Sequence, residues 1–129
     1  MVNIIFDQIE QDQLSSMGVQ AVILFGSQAQ GIAHPDSDYD FLIIGKYSVS
    51  TYDKLYDLLS SKINKLVDID IVFAQNSPME LQNHVAQFGQ VLFESKSGIF
   101  ADFKQQVMLT YSDFAPYREM FNQSILAQI

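Results

Sequence analysis

The apolar run Val19–Phe25 constrains the fold more than any other feature of the sequence, because it stops directly at Gly26. A short apolar run that ends at a glycine is typical of a strand buried in a sheet. A second run of the same kind, residues 38–44, begins with acidic residues and ends at Gly45. We therefore expect two core strands, joined by the small and polar segment between them.

Helical and strand patterns alternate along the rest of the chain. Apolar side chains recur at helical spacing over residues 3–17 and again over residues 51–66. Residues 67–73 alternate apolar and polar side chains, which predicts a strand with two distinct faces. A third helix is expected from Pro78 to Phe88, followed by a short edge strand at residues 91–93. This alternation predicts an α/β (α+β) fold class.

A joint is expected at Lys96-Ser97-Gly98, after the last strand pattern. It divides the chain into a domain over residues 1–95 and a C-terminal helical tail over residues 96–129. The tail carries many large apolar side chains, and Pro116 is expected to interrupt its helix. Those side chains have two interpretations: they cover the domain's own core, or they dock a helical partner.

Composition and charge exclude several classes of protein. The 129 residues suffice for one domain, and the absence of cysteine excludes disulfides and thiolate metal sites. No apolar stretch is long enough to cross a membrane, and the N-terminus lacks the basic region of a signal peptide, so we expect a cytoplasmic protein. The net charge of −8 argues against a basic face for nucleic acid. It also means that a polyphosphate substrate needs divalent cations between itself and the protein.

Gly26 and Ser27 are candidates for binding phosphate. A glycine directly after a buried strand lets the backbone approach a ligand closely, since no Cβ is in the way. Ser27 adds a hydroxyl and a backbone N–H, both donors to phosphate oxygens. Taken alone, however, a Gly-Ser pair is more often a simple turn.

Asp38 and Asp40 are candidates for binding metal. Residues two apart on a strand face the same side, and their Cα atoms lie about 7 Å apart. Two carboxylates so placed repel each other unless a cation sits between them, and their hard oxygens suit Mg²⁺. The alternative is a solvated strand face. The apolar residues 41–44 favour the metal site, because they indicate that the strand enters the core.

A third carboxylate is available from Asp68 or Asp70. Three carboxylates can hold two divalent ions roughly 3.5–4 Å apart, and the third can accept the proton of an attacking hydroxyl. We prefer Asp70, because it lies deeper in the strand pattern between Ile69 and Ile71. The choice between Asp68 and Asp70 stays open at this point.

Together these segments resemble the signature of the minimal nucleotidyltransferases of the DNA polymerase β superfamily. That signature is a Gly-Ser-x-Ala-Arg-Gly loop, then Ser-Asp-x-Asp, then an aspartate between hydrophobic residues. The matching segments are Gly26-Ser27-Gln28-Ala29-Gln30-Gly31, Ser37-Asp38-Tyr39-Asp40 and Ile69-Asp70-Ile71. The resemblance runs from about Val19 to Phe93. It implies a small mixed sheet with helices packed on it.

The resemblance also implies roles for single residues. Gly26 and Ser27 would hold the phosphates of ATP, the substrate. Asp38, Asp40 and Asp70 would be both the catalytic residues and the ligands of two Mg²⁺ ions. One departure concerns the loop, where Gln30 replaces the usual arginine and so removes a fixed charge and five hydrogen-bond donors.

Free-standing members of this family resemble the present chain in being antitoxins that pair with a helical HEPN ribonuclease toxin. Such an enzyme transfers AMP from ATP to a tyrosine of the toxin and silences it. The segment at residues 111–118 resembles the tails of these antitoxins. The resemblance therefore implies a hetero-oligomer with a basic toxin, which suits a charge of −8, without direct binding to nucleic acid or membrane.

Two other functions remain open from the sequence. The first is an antitoxin that neutralises its toxin by binding alone. The second is transfer of a nucleotide to a small hydroxyl compound such as an aminoglycoside, which the lack of a second domain disfavours. The single histidines His34 and His84 have no partner at ligand spacing, and we interpret them as surface or loop residues.

Overall fold

The computed structural model describes residues 4–32 and 37–112. Its elements follow in the order α1 (Gln8–Ser16), β1 (Val19–Phe25), α2 (Ser27–Gln30), β2 (Tyr39–Gly45), α3 (Val49–Ile63), β3 (Ile69–Phe73), α4 (Met79–Phe88) and β4 (Gln90–Glu94). A 3-10 turn at Ala74–Asn76 separates β3 from α4, and a further helix, α5, covers residues 99–112. The predicted α/β fold class is confirmed.

The four strands form one mixed sheet in the order β3-β2-β1-β4. β1 is antiparallel to both β2 and β4, whereas β2 and β3 are parallel and are connected through α3. Because of these directions, the end of β1 lies at the same edge of the sheet as the beginnings of β2 and β3. That edge brings together Gly26, Asp40 and Asp70, which are candidate site residues from the sequence.

Two apolar clusters pack against the two faces of the sheet. The α3-side cluster is built from α1, α3 and alternate strand residues, among them Leu14, Leu24, Phe41, Leu55, Leu59, Ile71 and Phe73. The α4-side cluster consists of Ala21, Ile23, Phe25, Leu42, Val85 and Phe100, with Val72 and Phe103 packed against it. The strands therefore have both faces covered, which explains their nearly continuous apolar sequences.

The first helix begins later than the helical spacing over residues 3–17 predicts. Asp7 caps it: its carboxylate accepts a hydrogen bond from the backbone N–H of Glu10, whose side chain accepts one from the backbone N–H of Asp7. This capping box starts the helix at Gln8. Ile5 and Ile9, which the pattern places beside the apolar stripe, are exposed.

The helix predicted over residues 51–66 is shifted towards the N-terminus. Ser48 caps it by accepting a 3.0 Å hydrogen bond from the backbone N–H of Thr51. Asn64 ends it, because this residue adopts the left-handed conformation with φ of 52°. Leu66 therefore leaves the apolar stripe, and its side chain is fully exposed.

Several predictions concern residues outside the described ranges. These are the interruption at Pro116, most of the segment 111–118, the rest of the tail to residue 129, and His34 in the loop before β2. Where the tail is described, Phe100 and Phe103 of α5 pack against the α4-side cluster.

None of the helices in residues 4–32 and 37–112 has the length and the apolar character that a membrane span requires.

Candidate active site

Gly26 ends β1 in a conformation that only glycine adopts easily, with φ of 76° and ψ of −158°. A Cβ atom at this position would lie 2.5 Å from Oδ2 of Asp40. Phe25, the preceding residue, is the register partner of Asp40 on the neighbouring strand. The backbone at Gly26 thus lies directly against the carboxylate of Asp40.

A compact loop follows Gly26. Ser27–Gln30 forms one helical turn, closed by Gly31 in the left-handed conformation. The side-chain amide of Gln28 donates a 3.1 Å hydrogen bond to the carbonyl oxygen of Ser37, the residue before Asp38. This bond ties the beginning of the loop to the beginning of β2 and so keeps the predicted phosphate-binding and metal-binding segments together.

Asp40 and Asp70 are register partners on the parallel strands β2 and β3. The register is held at its start by the backbone N–H of Tyr39, which donates a 3.0 Å hydrogen bond to the carbonyl oxygen of Asp68. Asp40 is half-buried, whereas Asp38, Asp68 and Asp70 are exposed. The structure therefore brings Asp70, rather than Asp68, directly beside Asp40.

The acidic residues share one face of the sheet. Leu42 and Val72 pack in the α4-side cluster, and residues two positions away on a strand face the same side. Asp40 and Asp70, and Asp38 one further step out on the first strand, consequently face the side covered by α4. On that side the acids lie just beyond the apolar cluster, and the partial burial of Asp40 strengthens its electrostatic interactions.

The carboxyl group of Asp40 has a raised pKa. Its partial burial is the main cause, and the negative charge of Asp70 and a hydrogen-bonding contact with it add to the effect, followed by the charge of Asp38. The positive charge of His84 acts in the opposite direction and lowers the pKa. These carboxylates repel one another, so a cation bound between them is stabilised.

The part of the chain that the structure describes contains no ready-made site with three metal ligands. Across residues 4–32 and 37–112, no group of three His, Cys, Asp or Glu side chains is arranged to hold a metal ion. The Asp40–Asp70 pair is nevertheless suited to Mg²⁺, which takes one or two carboxylates and completes its shell with water and substrate phosphates.

Cationic residues are scarce around this edge of the sheet. The sequence contains no lysine or arginine before Lys46, which follows the far end of β2. Lys62 of α3 makes a 2.6 Å ion pair with Glu10 of α1. Gln30, where the family pattern has arginine, is exposed on α2. The loop after Gly26, which the sequence predicts to bind phosphate, thus has no lysine or arginine of its own.

His84 was interpreted from the sequence as a surface or loop residue, but the structure places it half-buried on α4. Its ring meets that of Phe25 edge-on, with 6.4 Å between the ring centroids, and lies 5.1 Å from the ring of Phe88. Its proximity to the site depends on how α4 crosses β1. No spacing within the sequence indicates that crossing.

A cleft of about 530 Å³ opens beside the acidic residues. It is lined by residues from the end of α3, the loop after it and the start of β3: Tyr56, Ser60, Lys65, Leu66, Val67, Asp68 and Ile69, with Asp38 opposite. The helix α3 packs on the face of the sheet opposite to the one that carries Asp40 and Asp70, and neither of these two acids lines the cleft.

Comparisons of the fold give similar structures of toxin–antitoxin complexes. A toxin–antitoxin with AMP-PNP has a TM-score of 0.73 at 21% identity, covering 89% of this chain and 94% of that one. The MntA–HpeT mutant D39ED41E has a TM-score of 0.71 at 18% identity, covering 94% and 99%. The complex of the tri-AMPylated Shewanella oneidensis HEPN toxin with its MNT antitoxin has a TM-score of 0.65 at 16% identity, covering 92% and 98%. At such identities the likeness shows a shared fold.

Sequence comparison identifies the family. No curated protein matches the chain significantly. The family model described as polymerase beta, nucleotidyltransferase matches residues 8–98, which include the loop, the acidic residues and all four strands. Since this match covers well over half of the chain, the protein belongs to the polymerase β nucleotidyltransferase family.

Proposed function

We propose that the protein is an antitoxin enzyme that transfers AMP from ATP to a tyrosine of a cognate HEPN ribonuclease toxin and requires Mg²⁺. The observation that carries the proposal is the meeting of Asp40, Asp70 and Gly26 at one edge of the sheet. Membership of the family supplies the class of reaction. The choice of nucleotide and acceptor is supported by two structures of the same fold, one with AMP-PNP and one with a tri-AMPylated HEPN toxin.

Asp38, Asp40 and Asp70 would hold the magnesium ions. Their hard carboxylate oxygens suit Mg²⁺. The raised pKa of Asp40 also supports the assignment: burial is its main cause, and the repulsion from Asp70 and Asp38 that adds to it is one that a cation would relieve. When bound, Mg²⁺ neutralises charge on the triphosphate and on the departing pyrophosphate, which a protein with a net charge of −8 otherwise repels.

The chain's own groups bind the nucleotide and accept the proton. Backbone N–H groups after Gly26 and the hydroxyl of Ser27 donate hydrogen bonds to the phosphates. Asp70 accepts the proton of the tyrosine hydroxyl as its oxygen attacks the α-phosphorus of ATP. The bond from the α-phosphorus to the bridging oxygen breaks, so pyrophosphate leaves and AMP remains on the tyrosine.

The two substrates would reach the reaction from opposite sides of β2. The phosphates of ATP lie on the β1 side, at the loop that begins with Gly26 and Ser27. The acceptor enters from the β3 side, through the cleft beside Asp38 and Asp68.

The proposed partner is a helical, basic toxin, and the functional assembly is a hetero-oligomer in the cytoplasm. The net charge of −8 supports this, since complementary charges steer the encounter of two proteins. In this scheme residues 1–95 form the catalytic domain, and the tail over residues 96–129 packs on that domain or on the toxin. Neither nucleic acid nor a membrane takes part.

An antitoxin that acts by binding alone is the second candidate. The observation that favours it is Gln30, which leaves the phosphate-binding loop without the arginine of the family pattern. This candidate predicts that the acidic residues are dispensable for neutralising the toxin.

One experiment separates the two. The protein is incubated with Mg²⁺, labelled ATP and the HEPN product of the neighbouring gene, and label on the toxin is measured together with toxin activity in cells. The enzyme hypothesis predicts a labelled tyrosine, with labelling and neutralisation both lost in Asp38→Ala/Asp40→Ala. Asp57→Asn, an exposed substitution on α3, serves as the control. Neutralisation by the double variant without any labelling would instead establish the binding-only antitoxin.

A further inference from the structure

His84 lies on the α4 side of the sheet, near the loop that is proposed to bind the phosphates of the nucleotide. Its helix, α4, covers the face of the sheet that carries Asp40 and Asp70. Its ring contacts Phe25, the residue immediately before Gly26, and its charge acts on the carboxyl group of Asp40. The ring contact and the charge interaction place the imidazole near the beginning of the loop and near Asp40.

The polar groups of this ring are unused by the part of the chain that the structure describes. The contacts of the His84 ring are aromatic and involve Phe25 and Phe88. No hydrogen bond to either ring nitrogen is present within residues 4–32 and 37–112. The ring nitrogens are therefore available to a ligand or to water.

The loop beside His84 lacks the cationic group that a triphosphate needs. No lysine or arginine precedes Lys46, and Gln30 is neutral. A positive charge on His84 would lower the pKa of Asp40, so the two side chains are close enough to interact. An imidazole N–H in this place donates to a phosphate oxygen, and a hydrogen bond to a charged oxygen is stronger than one between neutral groups.

We propose that His84 binds the phosphates of the nucleotide held by Gly26 and Ser27, and supplies the donor that the loop lacks. The inference rests on the proposed function for the identity of the nucleotide. It adds a binding residue from α4 to a site otherwise built from the loop and two strands. The competing explanation is that His84 only fills space between Phe25 and Phe88.

Substitutions at His84 distinguish these explanations. His84→Phe keeps an aromatic ring between the two phenylalanines and removes both ring nitrogens. His84→Gln is a second variant that keeps a hydrogen-bond donor and loses the ring, in case His84→Phe fails to fold. Gln87→Ala removes an exposed side chain from the same helix and is the matched control. Thermal unfolding checks that each variant is folded.

The measurement is calorimetric binding of ATP and of inorganic tripolyphosphate, each with Mg²⁺. His84→Phe should weaken the binding of both ligands by about 10- to 100-fold, which corresponds to the loss of one charge-assisted hydrogen bond. His84→Gln should reduce the two affinities less, and Gln87→Ala should leave both affinities unchanged. Tripolyphosphate carries neither base nor ribose. Weaker binding of tripolyphosphate by the variant therefore locates the contact on the phosphates.

Three results would overturn the inference. Unchanged binding of both ligands by a folded His84→Phe makes His84 a packing residue. Weaker binding of ATP with unchanged binding of tripolyphosphate moves the contact to the nucleoside. If the wild-type protein binds neither ligand, the inference fails together with the proposed function. By contrast, normal binding of ATP without transfer of AMP to the toxin contradicts the proposed function alone, and the phosphate contact is still decided by the variants.

Discussion

Asp40 and Asp70 stand side by side as register partners on the parallel strands β2 and β3. The backbone of Gly26 closes the opposite side of Asp40, so the carboxyl group is held between a neighbouring strand and a loop. Partial burial and the nearby charges of Asp70 and Asp38 raise its pKa. The chain therefore keeps a destabilised carboxylate at this position, which is common at sites that bind a cation or perform catalysis.

Asp40→Asn should stabilise the protein in the absence of metal and abolish its activity. A carboxyl group whose pKa is raised in the folded state makes its ionised form costly, and this cost is fully present above the folded-state pKa. We expect the Tm at neutral pH without Mg²⁺ to rise by about 2–5 °C. Transfer of AMP should fall at least about 100-fold.

The pH dependence checks the cause of this stabilisation. As the pH falls through the folded-state pKa of Asp40, the group becomes neutral and the difference in Tm between wild type and Asp40→Asn should shrink. Asp57→Asn, an exposed change on α3, should show no such gain at any pH. A less stable Asp40→Asn at neutral pH would contradict this interpretation of the raised pKa.

Asp70 and Asp68 form a matched pair for identifying the third carboxylate. Both are exposed, but the strand register pairs Asp70 with Asp40. We expect Asp70→Asn to slow AMP transfer by about 100-fold or more at saturating ATP, since it removes the acceptor of the hydroxyl proton. Asp68→Asn should remain within about threefold of the wild type. Single-turnover rates decide the matter, and the reverse order would assign the role to Asp68.

Gly26→Ala should be far more damaging than Gly31→Ala. Both residues have positive φ, but only the added Cβ at Gly26 meets an atom, Oδ2 of Asp40 at 2.5 Å, whereas none lies within 4 Å at Gly31. We expect Gly31→Ala to cost about 1 kcal/mol in free energy of unfolding and Gly26→Ala about 2–4 kcal/mol. Urea unfolding measures both costs. Equal costs would show that the approach to Asp40 is not the constraint.

The ion pair between Glu10 and Lys62 should make stability depend on pH in the acidic range. The hydrogen bond from Lys62, helped by that from the backbone of Asp7, lowers the pKa of Glu10 below its usual value of 4.5. A lowered pKa contributes stability above the unfolded-state value, and this contribution disappears as the pH falls through the folded-state value. Wild type should therefore exceed Glu10→Gln in Tm at pH 7, and the two should converge in acid.

Much of the fold was predictable from local patterns, and the errors have specific causes. The strands were predicted nearly to their ends, because apolar runs and alternation reflect burial on one or two faces. Leu66 was wrongly placed on a helix stripe, because the left-handed Asn64 ends α3 three residues earlier. Ile9 sits at helical spacing and is nevertheless exposed, because α1 packs through Leu14.

The sequence by itself determined which residues were candidates for the site, because Gly26, Asp38 and Asp40 belong to short segments whose spacing carries the chemistry. It also determined that a third acid lay in β3. Only the tertiary structure decided that Asp70 pairs with Asp40, and that His84 reaches the same site from α4. The physical reason is that strand register and helix crossing are set by packing between distant segments, which no local spacing encodes.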